Sequence, residues 1–190
     1  MPSLLLIDYL ERSRAFYTLV RHSLACTAAD TAVQTHVQPR QLAKVVMVRV
    51  DGELAMMVVP SHYRVALDHL GQALAAEKVE LAEERFFQRR FPRCEVGAMP
   101  PFGHLFGLRA FMVPLFDESA DIHFKAGTHT ELLRMPFNEF RRLAHVESIA
   151  QGAVPLIRDP SRVKVQRLFE LARQQSPKRA ARKCAAVLTS

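Results

Sequence analysis

A chain of 190 residues, 49% hydrophobic and 24% charged, is long enough to bury a proper core and short enough to suggest one domain with a short appendage. Its net charge of +7 favours a polyanionic partner. The absence of any run near the roughly eighteen apolar residues of a membrane span argues against a membrane partner and for the cytoplasm. The start, MPSLLLID, is also too short in apolar residues for a signal peptide.

Cys26, Cys94 and Cys184 lie far apart and form no CxxC pair, so neither a disulfide framework nor a structural zinc site is signalled, and reduced thiols are expected. The histidines form no HExxH motif; His123 and His129 could share a metal, but surface or substrate-contacting roles are preferred, and no cofactor is expected.

Leu4 to Arg14 has mixed helical character, and YTLVRHSLA from Tyr17 is too irregular to assign. Thr27 with Asp30 three residues on forms an approximate capping box, predicting a helix from Ala28 to about His36 that Pro39 ends. LAKVVMVRV and ELAMMVV are β-branched apolar runs separated by Asp51-Gly52, the clearest hairpin in the chain. Ser61 is the expected cap of a helix carrying Leu67, Leu70 and Leu74. A further helix is expected over Glu83 to Arg90, with Phe86 and Phe87 inward.

The stretch EVGAMPPFGH, Glu95 to His104, then denies the backbone two amide donors at Pro100 and Pro101, so no helix interior or central strand runs through it. RAFMVPLF, DIHFKA and ELLRM read as strands and FNEFRRLA as an amphipathic helix; Asp159-Pro160 opens a last helix. Strands and helices mix without strict βαβ alternation, which predicts an α+β fold, a compact mixed sheet with flanking helices.

Three features carry candidate chemistry. Lys44 sits in a strand that is apolar on both faces, so its ammonium must either snorkel to water or pair with an anion. The proline corner is either a plain turn or a rigid wall that fixes a backbone group in one orientation. Gly127, Thr128 and His129 follow a strand, where a hydroxyl and an imidazole could reach a pocket rim.

In order, HSLACTAADTA with His22 and Thr27, LAKVV with Lys44, VGAMPPFG with Gly97, Pro101, Phe102 and Gly103, LFDES with Asp117, and AGTHTELL with Gly127 resemble the YbaK/ProX family. That family comprises stand-alone aminoacyl-tRNA deacylases and the editing insertion domain of bacterial prolyl-tRNA synthetase. The resemblance spans roughly Tyr17 to Ala144. It implies the same compact mixed sheet and a trans-editing hydrolase that deacylates tRNA mischarged with a small amino acid, with an aminoacyl-tRNA synthetase as a further partner. A non-catalytic module binding a tRNA end or small ligand on the same fold is the alternative.

By the resemblance, Lys44 helps hold the tRNA end, and the family's Gly-x-x-x-Pro loop falls on Gly97 to Pro101, whose glycine backbone positions the attacking water or the substrate. Pro100 stands where several members have serine, so any role of that hydroxyl does not carry over. His22, Thr27, Met47, Met99, Phe102, Gly103, Gly127, Thr128 and His129 are the expected substrate-binding set. An activated ester needs orientation more than a nucleophile, so a metal-independent site is expected.

The expected organisation is a helical extension over residues 1–16, the editing domain over 17–155, a C-terminal helix over 156–175 and a basic tail over 176–190. The tail's Lys178, Arg179, Arg182 and Lys183 are either solvated or an electrostatic hold on tRNA.

Overall fold

The computed structural model describes residues 3–156, which run in the order α1 (Leu4–Arg12), β1 (Thr18–Arg21), α2 (Ala28–Thr35), β2 (Ala43–Val50), β3 (Glu53–Pro60), β4 (Tyr63–Val65), α3 (Leu67–Leu74), β5 (Val79–Leu81), α4 (Glu84–Phe87), β6 (Arg109–Met112), β7 (Asp121–Lys125), β8 (Glu131–Pro136), α5 (Phe137–Ala144), β9 (Glu147–Ser148) and β10 (Ala153–Pro155). Asp51 and Gly52 take φ of 49° and 90°. That pair of positive values is what a type I′ turn requires, and it aligns β2 with β3 so that Val50 faces Glu53. The hairpin is the centre of a five-stranded sheet ordered β5-β2-β3-β6-β9, antiparallel through β3 and parallel beyond it. A three-stranded antiparallel sheet, β1-β8-β7, meets it at a single parallel bridge between Leu42 and His123. The architecture is the expected α+β type.

Alternation along β2 divides the core. Ala43, Val45 and Met47 face one way, where Met47 packs with Met56, Phe87, Phe91 and Phe106. Val46, Val48 and Val50 face the other way, with Met57, Val59, Phe111 and the α3 residue Leu70. A third cluster fills the space under α1 and α5, where Leu6, Leu10 and Phe140 close over Phe102, Phe124 and Leu133. Burial of each such large side chain contributes about 1.5–3 kcal/mol.

The capping expectation at Thr27 holds: its Oγ1 accepts the Asp30 amide at 3.0 Å. Ser61 is a correction. Its hydroxyl donates to the Pro39 carbonyl at 3.1 Å, and three residues of β4 pairing with β10 separate it from α3, which starts after Ala66 without a side-chain cap. Phe86 is also corrected: only Phe87 turns inward, because adjacent residues on a helix point about 100° apart. Phe86 instead lies beneath the guanidinium groups of Arg49 and Arg85, at 5.1 and 4.9 Å.

The stretch left unassigned at Tyr17 contains β1, ordered by its pairing with β8. Cys94 is a free thiol. Apart from its first residue, the helix expected over 156–175, and all of the tail over 176–190, lie outside the described residues. No helix among the described residues is long and apolar enough to cross a membrane.

Candidate functional site

The proline corner starts with a tight turn. Ala98 N–H donates to Glu95 O at 2.9 Å, and Gly97, third of the four residues, has φ of 80°. Those are the marks of a type II turn, in which only glycine sits comfortably at the third place. The turn is tied to the loop after β7: Glu95 N–H reaches Gly127 O at 2.8 Å, and Gly127 N–H reaches Ala98 O at 2.9 Å. Gly127 is itself at φ 113°, and a Cβ there would lie 3.0 Å from the Ser3 amide nitrogen. Two segments 30 residues apart thus form one backbone unit.

Lys125, at the end of β7, joins a third segment to it. Only 8% exposed, its ammonium donates to Ala25 O at 2.9 Å, to Cys26 O at 3.1 Å and to His129 Nδ1 at 2.7 Å. His129 in turn donates from Nε2 to Val96 O at 2.9 Å, and its backbone amide reaches Glu95 Oε2. A carbonyl only accepts and an ammonium only donates, so His129 is the neutral tautomer with its proton on Nε2. The loop before α2, the corner and the loop after β7 therefore converge on Lys125 and His129.

Burial lowers the Lys125 pKa to about 8, against the opposing pull of Glu95 and Asp30. Burial, and secondarily the neighbouring Lys125, lowers that of His129. Lys125 is the residue that sequence reasoning missed. A polar residue at the end of the run Ile122, His123, Phe124 gave a weak signal for it, since a lysine at a strand end is usually solvated.

Lys44 lies on the Val46 and Val59 face of β2, turned away from Met47 and Met99. The parallel bridge of Leu42 with His123 puts Lys44, two residues on, on the same side of the chain as His123. It is half-buried and has no ion pair or side-chain hydrogen bond among the described residues; desolvation alone depresses its pKa. The strand alternation therefore does not put Lys44 on the face that packs against the corner.

Other expected site residues also divide. Met47, Phe102 and Gly103 are core positions: Phe102 is fully buried among Tyr9, Phe124 and Phe140. Met99 is buried, and its sulfur accepts the Gly97 amide at 3.3 Å. Thr128 is committed to Glu131, donating at 2.9 Å. His22 follows β1, its Nδ1 2.7 Å from Ser23 O, and its amide donates to Thr130 O. Both ring nitrogens of His129 are engaged, leaving none for a metal shared with His123, and no three His, Cys, Asp or Glu side chains among the described residues form a ligand group. Lys178, Arg179, Arg182 and Lys183 lie outside the described residues.

His104, His123 and His129 all have depressed pKa values, burial being the first cause in each. In such a group the unfolded chain binds protons first. Stability is therefore present above the ordinary histidine value near 6.5 and is lost as pH falls through that value toward the folded ones. Thermal melts should fall between pH 7.5 and 5.5; a flat profile there would show that the three rings accept protons freely in the folded protein.

The profile of the aminoacyl-tRNA editing domain family matches residues 22–143, well over half of the chain. Solved structures share the fold, three of them as follows. A candidate trans-editing enzyme for prolyl-tRNA synthetase is 19% identical, with TM-score 0.64 over 79% of this chain and 97% of that one. A hypothetical protein is 16% identical, with TM-score 0.64 over 79% and 99%. A scaffold from computational epitope grafting is 18% identical, with TM-score 0.67 over 79% and 97%. No curated protein matches the chain significantly. The motif order, the mixed sheet and the profile agree, and the chain belongs to the aminoacyl-tRNA editing domain family, the YbaK/ProX group that its motifs resemble.

Proposed function

We propose that the protein is a trans-editing hydrolase that clears tRNA mischarged with a small amino acid, acting beside an aminoacyl-tRNA synthetase in the cytoplasm. The observation that carries this reading is Lys44, a half-buried ammonium with no anion or hydrogen-bond partner among the described residues. Such a cation is costly without a counter-charge, and the terminal phosphates of tRNA supply one.

In the proposed reaction, water attacks the ester carbonyl carbon and the carbonyl oxygen takes up the negative charge. Collapse breaks the bond to the ribose oxygen, which receives the proton lost by water, releasing the amino acid and intact tRNA. Lys44 holds a phosphate of the tRNA end from the β2 face turned away from the corner, and the turn at Gly97 to Pro101 forms the wall beside the ester. His22, Thr27, Met99, Gly127, Thr128 and His129 belong to the proposed binding surroundings; Met47, Phe102 and Gly103 support them from the core. An activated ester beside a ribose hydroxyl needs orientation more than a nucleophile, which supports a metal-independent mechanism. The cations of the tail, Lys178, Arg179, Arg182 and Lys183, fit a sequence-tolerant hold on phosphates.

The test is deacylation of a panel of tRNAs mischarged with alanine, cysteine, serine, proline and larger residues, run with and without exhaustive chelation. Release confined to small residues and unchanged by chelator is the expected result. Inactivity across the panel with retained binding of the tRNA end would favour a non-catalytic module, and activity restored only by added zinc would overturn metal independence.

A further inference from the structure

We propose that Lys125 and His129 are positioning residues of the editing site, which lock the Val96–Gly97 peptide so that the Gly97 N–H is presented to the ester oxygen. The inference rests on the editing reading above, adds Lys125 to it and gives His129 a defined role. Neither Lys125 nor the tautomer of His129 enters the motif resemblance.

The argument starts from the turn. Types I and II share the same closing bond, here Ala98 N–H to Glu95 O at 2.9 Å, and differ in which way the central peptide faces. The central peptide is Val96–Gly97, and the φ of 80° at Gly97 belongs to type II. Flipping that peptide would exchange the sides on which its carbonyl and its amide point. His129 Nε2–H grips the carbonyl at 2.9 Å, so the ring decides the side to which Gly97 N–H is turned.

His129 itself is held at three further points, one on the ring and two on its backbone. Lys125 donates to Nδ1 at 2.7 Å, the His129 amide is bound by Glu95 Oε2, and the His129 carbonyl accepts Ala25 N–H at 3.0 Å. Lys125 is anchored in turn on Ala25 O and Cys26 O. The chain of donors has one direction: ammonium to imidazole, imidazole to the Val96 carbonyl. A hydrogen bond to an amide oxygen strengthens the donor at the other end of the same peptide, so Gly97 N–H becomes a better donor as well as a fixed one.

Its present acceptor is the Met99 thioether at 3.3 Å, a weak partner on a flexible side chain. An ester oxygen gaining charge in the transition state is a far stronger acceptor and would displace it. A fixed backbone N–H aimed at such an oxygen is what electrostatic catalysis of acyl transfer needs.

The structure offers a conventional alternative for this cluster, in which Lys125 merely ties loops together. Kinetics and spectroscopy separate the two. For Lys125→Met and His129→Gln, single-turnover deacylation of the mischarged tRNA that the wild type handles best should fall roughly tenfold to a hundredfold in rate, with KM little changed. The Gly97 amide resonance should move upfield in both variants as its polarisation is lost. In the wild type, ¹⁵N spectra should show His129 as the neutral Nε2–H tautomer at pH 7; an imidazolium, or a proton on Nδ1, overturns the proposal without any variant. Should Lys125→Met fail to fold, His129→Gln and the wild-type tautomer carry the test. A folded variant with wild-type rate overturns the inference and leaves the editing reading intact, whereas a wild type inactive on every mischarged tRNA defeats that reading and this inference with it.

Discussion

Lys44→Ala should lose deacylation by roughly 2–3 kcal/mol of transition-state stabilisation, about a hundredfold in rate, while melting at or above the wild-type temperature. The two halves of that expectation have one cause. Lys44 is half-buried beside Val46 and Val59 and finds no partner among the described residues, so nothing among them offsets its desolvation cost. Removing the ammonium relieves that cost; removing it from a substrate complex takes away the counter-charge of the tRNA end.

A lysine that only snorkels predicts something else. Its replacement would be near neutral in both stability and rate. Lys44→Arg separates charge from shape, because a guanidinium keeps the charge but is too broad for a site fitted to a compact ammonium, so it should recover only part of the rate. The measurement is single-turnover deacylation by the three proteins beside their thermal melts. An equally stable and fully active Lys44→Ala protein would remove Lys44 from the site.

Features that rest on neighbours in sequence were legible before the structure. The Asp51-Gly52 turn, the Thr27 cap and the strands around Phe111, Phe124 and Leu133 each follow from local rules: two residues tolerant of positive φ, a hydroxyl placed before a helix, and β-branched or aromatic runs. What depends on distant partners was not. The β1 strand at Thr18 exists because β8 pairs with it, and β4 exists because β10 does; neither carries a pattern strong enough alone.

The site divides in the same way. Lys44 and Gly97 stand out as a cation in an apolar strand and a glycine beside a proline corner. Lys125 does not, since its role comes from the carbonyls of Ala25 and Cys26, a hundred positions away, and from the ring of His129. Phe102 and Gly103 show that a residue can lie in a functional motif at a position the core also requires.

Gly103 gives the second large expectation, a loss of stability with no electrostatic part. A Cβ on Gly103 would stand 2.6 Å from the Leu108 carbonyl oxygen, 3.1 Å from the Ala110 Cβ and 3.4 Å from the Arg109 carbonyl carbon. Two of those atoms are backbone, so no rotamer change makes room. The amide of Leu108 is hydrogen-bonded to the Gly103 carbonyl at 3.0 Å, which closes a short helical turn leading into β6. Moving Leu108 would therefore drag the start of β6, a strand held between β3 and β9. Gly103→Ala should cost about 2–3 kcal/mol, the upper part of the range for overpacked core sites, and lower the melting temperature by several degrees. Gly97→Ala is the contrast. There the burden is the φ of 80°, worth about 1–2 kcal/mol for an L-residue, and the expected loss is in turnover more than in stability. Melts and single-turnover rates for the two variants should show opposite rankings: Gly103→Ala the less stable, Gly97→Ala the slower per folded molecule. Equal melting temperatures for Gly103→Ala and wild type would mean that the Leu108 carbonyl can move freely, and the corner would then be no rigid wall.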